Sequence, residues 1–339
     1  MVGGPLLELE NLSTHYVSAR GTRVVRAVEG VNLRVNARET LGIVGESGSG
    51  KSTLALTILR LLPPAARVAS GRMLFEGEDL LEKSEAEMRR VRGKRIAMIL
   101  QDPMASLNPL FTIGDQVAEP IRVHEGSGRA KAWSRAFDLL KAVRIASPQT
   151  RLHQHPHEMS GGMRQRIVGA IGISCEPRLL IADEPTTSLD LTIQAQYLNL
   201  LRELQHAHGL ALIFITHNLG IVAKMCDQLA VMYAGRVVEQ GPVRQIFNAP
   251  AHPYTRALLS SIPRMSDSRR RLTAIDGQPP DLAALPPGCA FAPRCPDVVE
   301  RCREVAPPES TSRDGHAVRC WQAATCIEVA DANMDKGAD

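Results

Sequence analysis

A phosphate-binding motif lies near the amino terminus of the chain. Its residues read Gly45-Glu46-Ser47-Gly48-Ser49-Gly50-Lys51-Ser52-Thr53, which fits the pattern G-x-x-x-x-G-K-[ST] at every position. The glycines and serines let the backbone curl so that successive N–H groups point at a phosphate. Lys51 follows where its ammonium reaches the β- and γ-phosphate oxygens, and the Ser52 hydroxyl is a ligand for Mg²⁺. The motif therefore predicts a nucleotide phosphate site.

Two carboxylates follow an apolar segment further along the chain. Residues 179–182 are apolar, and Asp183 and Glu184 come directly after them. This order is typical of a buried parallel strand that carries acids to the ligand edge of an α/β sheet. We expect Asp183 to complete the Mg²⁺ shell and Glu184 to orient or deprotonate a water molecule. A structural ion pair is the alternative interpretation.

Other polar or aromatic residues are weaker candidates for contacts with a nucleotide. Gln101 and His217 each follow a predicted core strand, which would place them at the ligand edge of the sheet. There Gln101 would contact Mg²⁺ or the attacking water, and His217 would contact the γ-phosphate. Each is equally compatible with a purely structural role. Ser160-Gly161-Gly162 precedes a predicted helix, and such an N-cap offers a second phosphate-binding turn. Tyr16 either stacks on a base or packs in the core.

Periodicity predicts the elements that position these residues. Alternation indicates antiparallel strands at 6–11 and 24–35, with Tyr16 in the turn between them. Apolar segments predict core strands at 39–44, 71–75, 95–100, 179–184 and 211–216, and a hairpin over 227–239. Helical spacing is found at 52–62, 84–92, 164–173 and 192–208. From about 102 to 160 helical patterns replace strand patterns, which predicts an inserted helical subdomain.

The carboxy-terminal part differs in composition and in hydrophobic periodicity. After Gly241-Pro242 prolines become frequent and periodicity fades, so we predict one domain over 1–241 and an extension over 242–339. Such a segment needs a covalent or metal link to keep its shape. It contains Cys289, Cys295, Cys302 and Cys320, with intervening runs of 5, 6 and 17 residues. Four thiolates can bind Zn²⁺ or hold an iron–sulfur cluster, although the close C-x₂₋₄-C pair of most zinc sites is missing.

Composition limits the classes of function. The 339 residues are 44% hydrophobic and 22% charged, as in an ordinary soluble globular chain. The net charge of +4 is dispersed, and its only tight basic cluster is Arg269-Arg270-Arg271, so no nucleic-acid partner is expected. The sequence has neither a signal-peptide pattern nor an apolar run of about 18 residues. We therefore expect a cytosolic location, in which clustered cysteines favour a metal centre over disulfides.

The motifs, in this order and spacing, resemble those of the ATP-binding subunits of ABC transporters. They are residues 45–53, Gln101, Ser160-Gly161-Gly162, Asp183-Glu184-Pro185, Ser188-Leu189-Asp190 and His217. Residues 101–109, 163–166 and 249–255 and the cysteine tail most closely resemble subunits that drive oligopeptide, dipeptide or nickel importers. The resemblance implies an α/β fold class: a P-loop NTPase core with an antiparallel β subdomain, an inserted helical subdomain and a loop-rich cysteine-containing appendage. The resembled turn usually reads Leu-Ser-Gly-Gly-Gln, whereas Met159 and Met163 flank it here.

The resemblance implies a dimer, with an identical or a paralogous ATP-binding subunit. Two ATP molecules would lie between the phosphate loop of one subunit and the Ser160 turn of the other. Tyr16 would stack on adenine, Gln101 would link the nucleotide to the helical subdomain, and Glu184 would be the general base. His217 would contact the γ-phosphate, and Asp190 would face the partner subunit.

The resemblance also implies partners and a second cofactor. The partners are two membrane-spanning permease subunits and an extracytoplasmic substrate-binding protein, with this chain on the cytoplasmic face of the inner membrane. A [4Fe-4S] cluster is implied at the four cysteines, in preference to Zn²⁺. Nickel or another small solute is the alternative cargo, and a soluble ABC-type ATPase acting on nucleic acid or ribosomes is the alternative class.

Overall fold

Strands and helices alternate along most of the chain. The computed structural model describes residues 4–187, 189–261, 275–312 and 314–323. The strands are β1 (Leu7–Val17), β2 (Val24–Val35), β3 (Thr40–Val44), β4 (Ala66–Phe75), β5 (Glu78–Asp79), β6 (Ile96–Ile99), β7 (Leu179–Asp183), β8 (Ala211–Ile215), β9 (Gln228–Tyr233), β10 (Arg236–Pro242), β11 (Ser310–Thr311) and β12 (Ala317–Val318). The helices are α1 (Lys51–Ile58), α2 (Glu85–Val91), α3 (Pro103–Ser106), α4 (Ile113–Glu125), α5 (Arg129–Ala142), α6 (Pro148–Arg151), α7 (Gly161–Ile173), α8 (Leu191–His208), α9 (Leu219–Met225), α10 (Val243–Asn248), α11 (Pro253–Ser260) and α12 (Glu300–Glu304).

The chain folds into two compact units. Unit 1 contains the described residues of Met1–Leu7, Val35–Thr40 and Leu74–Ile215. Unit 2 contains the described residues of Glu8–Arg34, Leu41–Met73 and Thr216–Asp339. Two features noted in the sequence, Ser188 and the Arg269-Arg270-Arg271 cluster, lie outside the described residues, and so does Cys326.

Unit 1 contains a parallel sheet in which β7 lies between β6 and β8. Leu179 of β7 pairs with Ile96 of β6 and with Ala211 of β8. Every residue of β7 and of β8 is buried, which explains why these segments read as continuous apolar runs. Since parallel strands end at the same edge, the residues that follow β6 and β7 come close together.

The helices between β6 and β7 pack through apolar faces. In α4 the buried residues Ile113, Val117 and Ile121 recur every four positions, and α4 packs against α5. In α5 the buried residues Ala132, Ala136 and Leu140 have the same spacing. This pattern is the apolar stripe of an amphipathic helix. Helices α3 to α6 lie between residues 102 and 160, and an inserted helical subdomain there stays a prediction.

Unit 2 contains the strand that leads into the phosphate-binding motif. β3 pairs in parallel with β9, and β9 and β10 form the predicted antiparallel hairpin. β12 pairs with the other edge of β10. In a second sheet, β1 lies between β2 and β4.

One sequence prediction is wrong in this second sheet. β1 was expected to end at Asn11, with Tyr16 in a turn, but it continues to Val17 and contains Tyr16. The reason is that Asn11 adopts a left-handed φ of 48° inside the strand. Asn tolerates this conformation better than other non-glycine residues, so a residue typical of turns is accommodated without ending the strand.

Candidate functional site

The phosphate-binding motif forms a tight loop between β3 and α1. Gly45 has φ 156° and Gly50 has φ 102°. A Cβ atom at Gly45 would lie 2.2 Å from the Met232 carbonyl oxygen, and one at Gly50 would lie 2.1 Å from the Ala27 carbonyl oxygen. Because no side chain fits at either position, the loop shape depends on these glycines.

Lys51 lies at the first position of α1 and is buried against this loop. Its Nζ donates to the Gly45 and Glu46 carbonyl oxygens, at 2.8 Å each, and to the Ser49 hydroxyl at 3.2 Å. The Ser52 side chain that follows is exposed. A fixed ammonium group next to backbone N–H groups at a helix N-terminus is the arrangement that binds phosphate.

Tyr16 lies beside the helix that follows the loop. Its hydroxyl is 3.4 Å from the Thr53 hydroxyl, and its side chain is half-buried. On the same strand, the buried Thr14 hydroxyl lies 3.0 Å from the Thr57 hydroxyl. β1 therefore contacts α1 at two points, and the Tyr16 ring is held close to the phosphate-binding motif.

The acids of unit 1 lie at the carboxyl ends of its parallel strands. Asp183 is the last residue of β7 and is 5% exposed. Glu184 follows with a left-handed φ of 46°, and its N–H donates to the Ile215 carbonyl oxygen at 2.9 Å. A strained non-glycine residue held in place in this way is typical of functional sites.

Gln101 contacts one of these acids directly. Its Nε2 donates to Glu184 Oε2 at 3.2 Å, and the Thr187 hydroxyl donates to the same oxygen at 3.0 Å. The structure thus brings together two candidates that are 83 positions apart in the sequence. Thr187 was not singled out in the sequence, although its position three residues after Glu184 in a turn is a signal for it.

Two further candidates in unit 1 begin helices. The Ser160 hydroxyl accepts from the Met163 N–H at 3.3 Å, and Gly161 and Gly162 form the first turn of α7. A Cβ atom at Gly161 would meet no atom within 4 Å, so the backbone there is open to close approach. Asp190 begins α8, with Oδ1 accepting from the Thr192 and Ile193 N–H groups at 3.1 and 3.0 Å.

His217 lies in unit 2, two residues after the end of β8. Its side chain is exposed. The following residue, Asn218, caps α9 by accepting from the Gly220 N–H at 2.9 Å. The exposure of His217 favours a role in contact with a ligand over that of a core histidine.

The four cysteines of the carboxy-terminal segment line a single small pocket. Cys289, Cys295, Cys302 and Cys320 share it with Phe291, Trp321 and other residues. Burial raises the pKa of the Cys289 thiol, and it raises the pKa of Cys295 to about 11. However, among the described residues no group of three or more His, Cys, Asp and Glu side chains is arranged to hold a metal ion. The expected metal centre is therefore not supported by this geometry.

Sequence reasoning missed two residues that contact the phosphate-binding motif. Tyr254 Oη accepts from the Glu46 N–H at 2.9 Å, and Arg294 forms two hydrogen bonds with the Glu46 carboxylate. Tyr254 lies in the segment 249–255 that resembled peptide importers, which was a signal for it. No sequence pattern indicated that Arg294 contacts the motif, and only its position directly before Cys295 drew attention to it.

Comparison with known proteins identifies the family of the chain. A family model for ABC transporters matches residues 28–187, and a model for the oligopeptide/dipeptide transporter C-terminal region matches residues 238–302. A probable peptide ABC transporter ATP-binding protein of Sinorhizobium fredii is 52% identical over 96% of this chain and 97% of its own length. A dipeptide transport ATP-binding protein of Bacillus subtilis is 48% identical over 93% of this chain and 94% of its own length.

A solved structure agrees with these relatives. A Clostridium perfringens protein described as part of an ABC transporter complex has a TM-score of 0.62 and 29% identity, over 73% of this chain and 92% of its own. In the described part of this chain, no helix is both long and apolar enough to cross a membrane. The motifs, the fold and a relative that is similar over almost the whole length lead to one conclusion: this chain belongs to the ATP-binding subunits of ABC transporters, which are ATPases.

Proposed function

We propose that this chain is the ATP-hydrolysing motor subunit of an importer for oligopeptides or dipeptides. The observation that carries the proposal is the match of residues 238–302 to the oligopeptide/dipeptide transporter C-terminal region. Relatives named for peptide and dipeptide transport are similar over nearly the whole chain. An ATPase domain alone does not specify a cargo, whereas the family model that matches this carboxy-terminal region is described by oligopeptide and dipeptide transport.

Each group of site residues has a role in ATP hydrolysis under this proposal. The loop N–H groups and Lys51 bind the β- and γ-phosphates, and Ser52 and Asp183 hold Mg²⁺, with Gln101 as a further contact. When bound, Mg²⁺ would neutralise charge on the phosphates. Glu184 accepts a proton from the attacking water. Its hydrogen bonds from Gln101 and Thr187 fix the carboxylate for that task.

The remaining candidates bind the nucleotide from other directions. Tyr16 stacks on adenine, and His217 contacts the γ-phosphate. The Ser160-Gly161-Gly162 turn covers the ATP of a neighbouring ATP-binding subunit, and Asp190 faces that neighbour. Support for this role is the open backbone at Gly161 and the N-terminus of the 13-residue helix α7, which favours an anion.

We propose that the chain works with membrane-spanning permease subunits and an extracytoplasmic substrate-binding protein. ATP binding then closes the dimer of ATP-binding subunits, and closure changes the conformation of the permease subunits. The chain would lie on the cytoplasmic face of the membrane, because ATP is supplied there.

Uptake by cells tests the proposed cargo. In a strain that lacks this chain, the unaltered protein should restore uptake of a labelled dipeptide or oligopeptide, and the Lys51→Ala variant should not. Loss of the lysine removes the cation that binds the phosphates, so we expect uptake to fall to the level of the deletion strain. Labelled nickel and a labelled glycoside serve as comparison solutes. Restored uptake of nickel or of the glycoside without peptide uptake would contradict peptide import.

We also propose that Cys289, Cys295, Cys302 and Cys320 hold a [4Fe-4S] cluster. The support is that all four side chains line one pocket, next to Phe291 and Trp321, and that thiolates are the ligands such clusters require. Binding requires the four thiols to lose their protons and their sulfur atoms to move closer together. The centre would link parts of the carboxy-terminal segment that have little regular secondary structure.

Metal analysis of anaerobically purified protein distinguishes the cluster from zinc. We expect a brown protein with about four iron atoms per chain, as the cluster formula requires. Replacing Cys302 with Ser should remove most of the iron, whereas replacing Cys175, which is buried outside this pocket, should leave the iron content unchanged. Stoichiometric zinc without iron would contradict the cluster.

A further inference from the structure

Two side chains from the carboxy-terminal part of unit 2 contact a single residue of the phosphate-binding motif. Arg294 donates from Nη1 to Glu46 Oε2 at 2.8 Å and from Nη2 to Glu46 Oε1 at 3.0 Å. Tyr254 Oη accepts from the Glu46 N–H at 2.9 Å. We refer to Glu46, Tyr254 and Arg294 as the Glu46 cluster. Both the side chain and the backbone of Glu46 are thus bound by residues more than 200 positions away.

Arg294 is fixed in position by the rest of its surroundings. Its side chain is 4% exposed. The remaining donors reach the Tyr233 hydroxyl at 3.2 Å, the Asp276 carbonyl oxygen at 2.9 Å and the Ile275 carbonyl oxygen at 3.2 Å. The hydrogen bonds with Glu46 raise the pKa of the guanidinium group further above its usual value, so the charge persists at every physiological pH.

Tyr254 is held equally firmly. It lies in the first turn of α11, and its N–H donates to Nδ1 of the buried His252 at 3.0 Å. Burial lowers the pKa of His252 to about 4, so the ring is neutral near pH 7 and its Nδ1 can accept this hydrogen bond. The Tyr254 ring packs against Tyr233, with centroids 4.6 Å apart, and against Phe291 at 5.4 Å. The hydroxyl therefore has a defined position from which to accept the Glu46 N–H.

Glu46 is also the residue through which these contacts reach Lys51. The Lys51 ammonium donates to the Glu46 carbonyl oxygen at 2.8 Å. We propose that Arg294 and Tyr254 are positioning residues for ATP: they fix Glu46 and thereby the carbonyl oxygen that holds the phosphate-binding lysine. This inference rests on the proposed binding of ATP by the motif, and it gives the carboxy-terminal segment a direct part in that binding.

A purely structural role would have different consequences. Bringing a charged pair out of water costs free energy that its mutual attraction offsets only in part, but removal of one partner leaves the other charge unpaired and destabilises the fold. Loss of stability alone therefore does not reveal what the pair does. A bidentate pair does, however, impose geometry. If the pair fixes the geometry of the phosphate-binding loop, its loss should weaken ATP binding by more than the loss of another ion pair in unit 2 does. If it serves only to hold the segment, its loss should lower the melting temperature and leave the affinity of the folded protein unchanged.

The test compares Arg294→Met with Arg23→Met in the full-length chain. Arg23 also pairs with a carboxylate, that of Asp281 at 2.9 Å, but both side chains of that pair are more than half exposed. We expect Arg294→Met to raise the dissociation constant for ATP about tenfold, in the usual range for coupling between a site and its supporting contacts. Arg23→Met should change it less than twofold, and Arg294→Lys, which keeps the charge, should recover part of the loss.

A double variant identifies the route of the effect. If Arg294 acts through Glu46, the two substitutions should not add. The dissociation constant for ATP of the double variant Glu46→Gln/Arg294→Met should therefore be no higher than that of the single variant that binds ATP more weakly. If Arg294→Met does not fold, Tyr254→Phe and Arg294→Lys test the positioning role in its place. Each should weaken ATP binding about threefold or more. Unchanged affinity in all these variants would overturn the inference alone. Failure of the unaltered chain to bind ATP would overturn the proposed function, and this inference with it.

Discussion

Replacing Glu184 with Gln should abolish ATP turnover and leave ATP binding intact. Glutamine has nearly the same shape as glutamate, and its carbonyl oxygen can still accept the hydrogen bonds from Gln101 and Thr187. It cannot take a proton from water at neutral pH. Loss of a general base typically costs about 10²- to 10⁴-fold in rate, so we expect phosphate release to fall by at least about a hundredfold. Phosphate release and equilibrium binding of ATP, measured on the same preparation, check both parts.

The matched control for this variant is Glu203→Gln. Glu203 is also in unit 1, and its carboxylate accepts from Arg144 at 2.6 Å on the exposed surface of α8. Because it lies in no candidate site, its loss should not change the rate. The Glu184 variant should also accumulate as a dimer in the presence of ATP, since the nucleotide that stabilises closure persists. Normal hydrolysis by Glu184→Gln would remove Glu184 from the role of general base.

Local sequence patterns were sufficient for the motifs and for most of the elements around them. β7 was predicted because four apolar residues followed by two acids are typical of a buried parallel strand that carries carboxylates at its carboxyl end. The phosphate-binding loop was predicted because its pattern requires glycine at fixed positions. At Gly45 and Gly50 the structure shows why, since a Cβ atom there would collide with a carbonyl oxygen. In both cases the information lies within about ten residues of sequence.

Contacts between distant residues could not be predicted in the same way. Arg294 and Glu46 are 248 positions apart, and neither residue type nor spacing indicates that they pair. Tyr16 was misplaced because the left-handed conformation of Asn11 is permitted in a strand but is more frequent in turns. The four cysteines were expected to meet, and they do line one pocket, but sequence spacing does not determine the distances between their sulfur atoms.

Replacing Ser160 with Arg should separate ATP binding from ATP hydrolysis. The Ser160-Gly161-Gly162 turn lies at the start of α7, and the phosphate-binding loop lies at the start of α1. If the Ser160 turn covers the ATP of a neighbouring subunit, a long side chain there blocks the closed dimer without altering the loop that binds ATP first. We therefore expect ATP binding by the isolated chain within about twofold of the unaltered protein, because the loop residues are unchanged. Phosphate release should fall at least about a hundredfold, since the site that closure completes is never assembled.

Loss of the helix cap must be distinguished from loss of the dimer. Ser84→Arg provides the comparison, because the Ser84 hydroxyl caps α2 by accepting from the Glu87 N–H at 3.3 Å, as Ser160 caps α7 by accepting from the Met163 N–H at 3.3 Å. Either substitution should lower the free energy of unfolding by about 1 kcal/mol, but only the Ser160 variant should stop hydrolysis and ATP-dependent dimerisation. Equal hydrolysis by the two variants would mean that the Ser160 turn covers no nucleotide. A loss of ATP binding by the isolated Ser160 variant would mean instead that the turn acts on the ATP of its own chain.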